Sequence, residues 1–239
     1  ELKSIIDINQ SILVRLGGRA MDPPALQDGW ENSESVSDLR GRAATLIESE
    51  FSASHFWAWK DPRACLTLPF WQQIVHNMHY VVCVRRPAEV AASLKRRNKI
   101  PEARSIYLWL LYNRAAFSHS SAGPRYVITY DEVMKDPVRQ AERLAGFLDE
   151  HIPDDARGII AKFIDPDRRH HNFTETEDDD DSLELIENPA LLAAEKAYAI
   201  MSQPEIAAQE ELIAIIDQGL KRSTVIAILE GSLTGTGVS

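Results

Sequence analysis

Two short stretches carry the cations best suited to meet a ligand. One is Trp59-Lys60-Asp61-Pro62-Arg63; the other is Arg85-Arg86-Pro87, followed two helical turns later by Ser93. Each leaves an apolar, aromatic or β-branched run (56–59 and 80–84) and turns through proline. That pattern predicts cations at strand ends, where an open parallel sheet presents its ligand crevice. With Pro87 as the first helical position, Ser93 falls nearly two turns on, along the same face, so its hydroxyl can share an anion with Arg85. A guanidinium supplies a planar fork and serine one orientable donor, which together suit a phosphate ester. Spacing alone serves equally well for a packed small residue at 93 and a surface ion-pair partner at 85. Arg97, four residues after Ser93, can join the same face. Lys60 reads either as an ammonium facing the ligand or as a snorkelling strand-end cation. Asp61 and Arg63 read as local pairing or capping groups.

Elements must hold these residues in place, and the 239-residue chain, 44% hydrophobic, is long enough for one sizeable core plus an appendage. Leu2, Ile5, Ile6, Ile12, Leu13 and Leu16 recur at helical spacing until Gly17-Gly18, predicting an opening helix with a glycine stop. Val36, Leu39, Ala43, Leu46 and Ile47 predict a second helix, feeding a first strand over 56–60. Pro69 is expected to open a third helix running to about His76. A second strand follows over 80–85, then helices begun by Pro87 and Pro101, the latter apolar almost all round and hence central. A third strand, 125–130, precedes a helix begun by Pro137 with Asp136 as its cap. Short strands alternating with helices predict an α/β fold, a parallel sheet with crossover helices. Beyond residue 150 the strand signal disappears. A short helix ends on Ile159, Ile160 and Phe163, an acidic run spans Glu175 to Asp181, and residues 189 to about 230 read as helical, split by Pro204. The apolar face Leu191, Leu192, Tyr198, Ile206, Leu212, Ile215 and Ile216 is expected either to fold back or to meet a neighbour in an oligomer.

Net charge is -10, with an isoelectric point near 5.2. A chain of that charge is not expected to bind nucleic acid or an anionic membrane by general electrostatics, so an anion has to be met locally. The stretch from Arg85 to Lys99 does so, setting six cations against the single acid Glu89. Lys95, Arg96 and Lys99 fit a solvated helix face. Cys65 and Cys83 are expected to be buried, reduced thiols, and a cytoplasmic location follows from the cysteine usage and the short apolar runs. No metal site is expected, since the acids beside His170-His171 lack the turn-forming glycine that would preorganise ligands.

Lys60-Asp61-Pro62-Arg63, the Arg85-Arg86-Pro87-Ala88-Glu89-Val90-Ala91-Ala92-Ser93 segment, and Tyr126 to Tyr130 with Asp131-Glu132 and Asp136-Pro137 together resemble the PAPS-dependent sulfotransferases. The likeness is to bacterial members whose cores also resemble tyrosylprotein sulfotransferase, and it covers about residues 1 to 172. It implies a nucleotide-kinase-like (P-loop NTPase-like) core with C-terminal helices appended. The cosubstrate it implies is 3′-phosphoadenosine 5′-phosphosulfate (PAPS), leaving 3′,5′-phosphoadenosine (PAP). Arg85 and Ser93, with Arg97, are then expected at the 3′-phosphate, Lys60 at the phosphosulfate as the catalytic cation, and Arg169, in a late basic loop, over the nucleotide. The acceptor is expected to be a hydroxyl, carbohydrate favoured over peptide or small molecule. Expected segments are a core over 1–173, an acidic loop over 174–187, a helical segment over 188–230 and a tail over 231–239. The family's 5′-phosphosulfate loop has no counterpart before Leu16, so a strand-loop-helix unit of about 30 residues is expected upstream. The alternative is a non-catalytic nucleotide-binding or scaffold relative that has lost that loop.

Overall fold

The structure, a computed structural model, describes residues 2–164, 188–203 and 209–229. The chain divides into two compact units, one of residues up to Met78 together with Ser118–Pro124, the other of His79–Phe117 and the residues from Arg125 onward.

In the first unit, helix α1 (Leu2–Arg15) buries Ile5, Ile8, Ile12 and Leu13 along one stripe. It stops as its sequence predicts. Gly17 takes the left-handed conformation (φ 87°), and the Gly18 and Gly17 amides donate back to the Leu13 and Val14 carbonyls at 2.8 and 3.0 Å, a Schellman closure. Arg15, in the last turn, pairs with Asp38. Helix α2 (Ser37–Phe51) turns Leu39 and Ala43 inward, and helix α3 (Ala64–Gln72) adds the fully buried Phe70 and Trp71. These three helices share one apolar core.

Two expectations fail here. Residues 56–60 form no strand, because Trp57 and Trp59 stack with Phe51 and Trp71 as a ladder of rings and so pack through their side chains rather than through a backbone ladder. Nor does Pro69 open a helix; it sits inside α3. A proline there cannot donate to the carbonyl four residues earlier, that of Cys65. The His119 Nδ1 lies 2.9 Å from that oxygen and satisfies it instead.

The second unit is built on two strands, β1 (Tyr80–Val84) and β2 (Arg125–Thr129). They pair in parallel, Tyr80 opposite Arg125 through Val84 opposite Thr129. Helices α4 (Pro87–Asn98) and α5 (Glu102–His119) make the crossover a parallel pair requires. Helix α5 is central as expected, burying Ile106, Trp109, Leu110 and Phe117. After β2 come α6 (Tyr130–Lys135), α7 (Pro137–Phe147), α8 (Asp154–Phe163), α9 (Pro189–Met201) and α10 (Gln209–Leu229). Asp136 caps α7 through the Arg139 amide at 3.0 Å. Among the described residues the sheet has these two strands and the fold is mostly helical, an α/β arrangement in its broad sense.

Helices α9 and α10 are integral to this unit's core. Leu191, Ala194, Ala197, Tyr198, Met201, Leu212 and Ile216 are buried with Val84, Ile106 and Leu110, so the apolar face of the C-terminal helices folds back rather than standing open. Gly219 marks a close approach, where a Cβ would meet the Ala193 Cβ at 2.9 Å and Leu110 at 3.1 Å. Leu192 remains exposed, and Ile206 lies outside the described residues. Cys65 is half-buried, and Cys83 is exposed rather than buried, since alternation along β1 sends Val82 and Val84 to the core and Val81 and Cys83 to the other face. No helix among the described residues is long and apolar enough to cross a membrane.

Candidate functional site

Strand β1 delivers its last core residue, Val84, 2% exposed, and the chain then leaves the sheet through Arg85 and Arg86 into Pro87 at the first position of α4. The Trp109 indole donates to the Arg85 carbonyl at 2.8 Å, pinning this exit to α5. Two groups orient the Arg85 guanidinium. Its Nε donates to Glu89 Oε2 at 2.8 Å, one turn into α4, and its Cζ lies 4.4 Å over the Tyr130 ring. The two Nη groups hydrogen-bond to no described protein atom, and the side chain keeps 30% exposure. Ser93, half-buried, follows Glu89 by four residues on the same face of α4, its hydroxyl likewise without a described partner. The result is a guanidinium held from behind by Glu89 and Tyr130, with its Nη donors, and the Ser93 hydroxyl one turn beyond Glu89 on α4, without a described partner.

Arg97 continues that face but is exposed, its Nε turned to Asn98 Oδ1 at 2.8 Å. Arg86 lies 3.4 Å from Asp131 Oδ2, which also accepts from the Tyr198 hydroxyl at 3.0 Å. The Glu195 carboxylate, from α9, accepts the backbone N–H of Ala88 in the first turn of α4. Burial pushes the Glu195 carboxyl above its ordinary range, with Glu89 adding to the rise and the Ala88 amide and Arg86 opposing it. Burial first, then Asp131, raises the Tyr198 phenol likewise. The positive end of α4, which would otherwise attract an anion, is therefore already met by an acid of the chain.

Lys60 belongs to the first unit and is exposed. The residues after it are structural. The Asp61 side chain, fully buried, accepts from Arg63 Nε at 2.9 Å, from the Arg63 amide at 3.1 Å and from Asn9 Nδ2 at 2.8 Å. Asn9, itself 0% exposed, accepts from Thr67 and from the Trp71 indole, both at 2.7 Å. Arg63 reaches on to Gln10 at 2.9 Å. The Asp-Pro-Arg turn is thus tied to α1 and α3 and fixes the backbone that carries Lys60. Arg169, with the acidic run and His170-His171, lies outside the described residues. No group of His, Cys, Asp or Glu among the described residues is arranged to hold a metal ion.

Comparisons with protein-family models, with curated proteins and with solved structures each find no match to this chain.

Sequence reasoning missed several of these partners. Glu89 is visible as an i+4 acid to Arg85. Asn9 shows as a polar residue on the apolar stripe of α1. Glu195 and Tyr130, as neighbours of Arg85 and α4, leave no local signal at all.

Proposed function

We propose that the chain is a PAPS-dependent sulfotransferase in which Arg85 and Ser93 grip the 3′-phosphate of the nucleotide. One observation carries the reading: the Arg85 guanidinium is steadied by Glu89 and Tyr130 while its Nη donors, and the Ser93 hydroxyl on the same helix face, have no described protein partner. Those groups fit a phosphate ester, whose oxygens accept several charge-assisted bonds at once. Because Glu195 holds the Ala88 amide, the side chains rather than the helix end do the gripping.

PAPS, when bound, supplies the sulfuryl group: the acceptor hydroxyl oxygen bonds to sulfur, the bridging S–O bond breaks, and 3′,5′-phosphoadenosine departs with the electron pair. Charge growing on the leaving phosphate calls for a point cation, the role that the sequence resemblance gives to Lys60. The hydroxyl proton passes to water.

A second reading, a nucleotide-binding or scaffold protein without catalysis, is favoured by the charge count beside α4, where Glu89, Asp131 and Glu195 outnumber Arg85 and Arg86. Two assays separate the readings. Thermal-shift titration with 3′,5′-phosphoadenosine stabilises the wild type and not Arg85→Ala if the phosphate is held as described; no shift, or the same shift in both, overturns the site. Transfer of sulfur-35 from labelled PAPS to a mixed panel of hydroxyl acceptors, lost in Lys60→Ala, supports the enzyme. Binding without transfer leaves the scaffold.

A further inference from the structure

Helix α8 rests on α7 and is tied to it where Arg157 meets Glu142 at 3.0 Å. The half-buried positions of α8 are Ala156 and Ile160. A neighbouring stripe, Asp155, Ile159, Lys162 and Phe163, follows the i, i+4, i+7, i+8 spacing of a single helix face and is exposed along its whole length. Ile159 is 65% and Phe163 80% exposed, the two most exposed large apolar side chains among the described residues. Lone apolar residues on a surface are ordinary, but two on adjacent turns of one face mark a place of contact.

The charges on this face select its partner. Asp155 and Lys162 stand two turns apart, one on each side of Ile159, and neither has an ion-pair partner among the described residues, since Arg157 is met by Glu142 and Asp154. A twofold axis perpendicular to the helix, passing between Gly158 and Ile159, sets Asp155 of each copy opposite Lys162 of the other. No atom lies within 4 Å of where a Cβ on Gly158 would stand, so Ile159 of the second copy has room beside the axis. A face with one charge of each sign, equally far from its centre, is complementary to itself; a surface of uniform sign leaves one of the two charges opposed. We propose that the protein forms a homodimer through α8, the two helices packed antiparallel with both Ile159 side chains at the axis, a Phe163 ring toward each end and two Asp155–Lys162 pairs along the rim. The apolar pair supplies about 300 Å² per copy, so the interface falls below the roughly 1,200 Å² of a standard one and the dimer belongs to the weak, reversible class. The contact stands on the second unit alone and needs no nucleotide.

Sedimentation velocity of the full chain, from about 10 μM to about 1 mM, tests the contact. The expected result is a monomer–dimer equilibrium with a Kd of about 100 μM. Ile159→Glu, at an exposed position and so compatible with the fold, is expected to abolish the dimer over the whole range. Asp155→Lys and Lys162→Asp each set like charges opposite one another twice and are expected to weaken association about tenfold. The double variant Asp155→Lys/Lys162→Asp exchanges the two charges and is expected to restore the affinity to within about threefold, a rescue that contact through any other face does not give. Each reversal also opposes the dipole of α8, so circular dichroism checks the helix in every variant, and Ile159→Glu and Phe163→Ser carry the test should a reversal melt it. A wild type that stays monomeric at about 1 mM, a dimer unchanged in Ile159→Glu, or a double variant as weak as the single ones overturns the proposal. A monomer whose melting temperature falls in Ile159→Glu overturns it as well, since the face is then covered by its own chain.

Discussion

Replacing Asn9 with alanine isolates the hub that holds the Lys60 turn. The Asn9 amide is 0% exposed and makes three side-chain hydrogen bonds: it donates to Asp61 at 2.8 Å and accepts from Thr67 and Trp71 at 2.7 Å each. Truncation removes one bond to an ionised acceptor, about 1.5–3 kcal/mol, and strands the buried Trp71 indole N–H, about 1–3 kcal/mol. Thr67 is buffered, since its hydroxyl also lies 3.3 Å from the Arg63 carbonyl, and Asp61 keeps Arg63. The sum is about 2.5–6 kcal/mol, a large part of the 5–15 kcal/mol that typically separates folded from unfolded domains. For a chain of this size it lowers the melting temperature by about 10 °C. Urea denaturation followed by tryptophan fluorescence measures it, with Trp71 itself in the perturbed network. A loss under 1 kcal/mol would show that Asp61, Thr67 and Trp71 do not depend on this amide and that the turn is held by other means.

Glu195→Gln retains an acceptor for the Ala88 amide but cannot ionise. Because burial raises the Glu195 carboxyl, this group holds its proton more fully in the folded than in the unfolded chain from about pH 4.3 up to its raised folded value. The two proteins should therefore melt alike at pH 3.5, with the variant gaining on the wild type as pH rises through that window; melting curves that stay parallel refute the assignment. Gly219→Val forces branched carbons into a contact where even a Cβ falls 2.9 Å from Ala193, and should cost about 2–3 kcal/mol in urea denaturation. Thr129→Ala breaks the capping box in which Thr129 accepts from the Glu132 amide at 3.2 Å and Glu132 reaches back to the Thr129 amide at 3.3 Å, with an expected cost of about 1 kcal/mol.

Much of the second unit was legible before any coordinates because its signals are local. Pro87 and Pro137 mark helix starts, Asp136 caps one of them, and the β-branched runs at 80–84 and 125–129 lie where strands form. Gly17-Gly18 announced the end of α1 for the same reason. The run Phe56-Trp57-Ala58-Trp59 misled because aromatic residues favour strands, whereas here ring stacking on Phe51 and Trp71 decides the conformation. Pro69 misled because its cost inside a helix is offset by a histidine 50 residues later in the chain (Pro69 to His119), which no local window contains. The pattern Thr129-x-x-Glu132 was a readable helix start, masked by extending the strand to residue 130. Of the candidate site, Arg85 and Ser93 were offered by spacing, which a packed serine and a surface ion pair fit equally well, and were singled out by the family resemblance. Glu89 could have been read as the i+4 partner; Tyr130 and Glu195 depend on tertiary packing. The C-terminal helices looked like an appendage because their apolar faces carry no address, and only the core shows that they close over α4 and α5.

Calorimetric titration of the full chain with 3′,5′-phosphoadenosine and, separately, with 5′-AMP asks whether a 3′-phosphate is recognised. The account predicts that the wild type prefers the 3′-phosphorylated nucleotide by about tenfold or more, that Arg85→Ala abolishes the preference, and that Ser93→Ala reduces it about threefold to tenfold, as expected for loss of the paired cation and of a single hydroxyl donor respectively. Equal affinity for the two nucleotides in the wild type, or a preference that survives in Arg85→Ala, contradicts it.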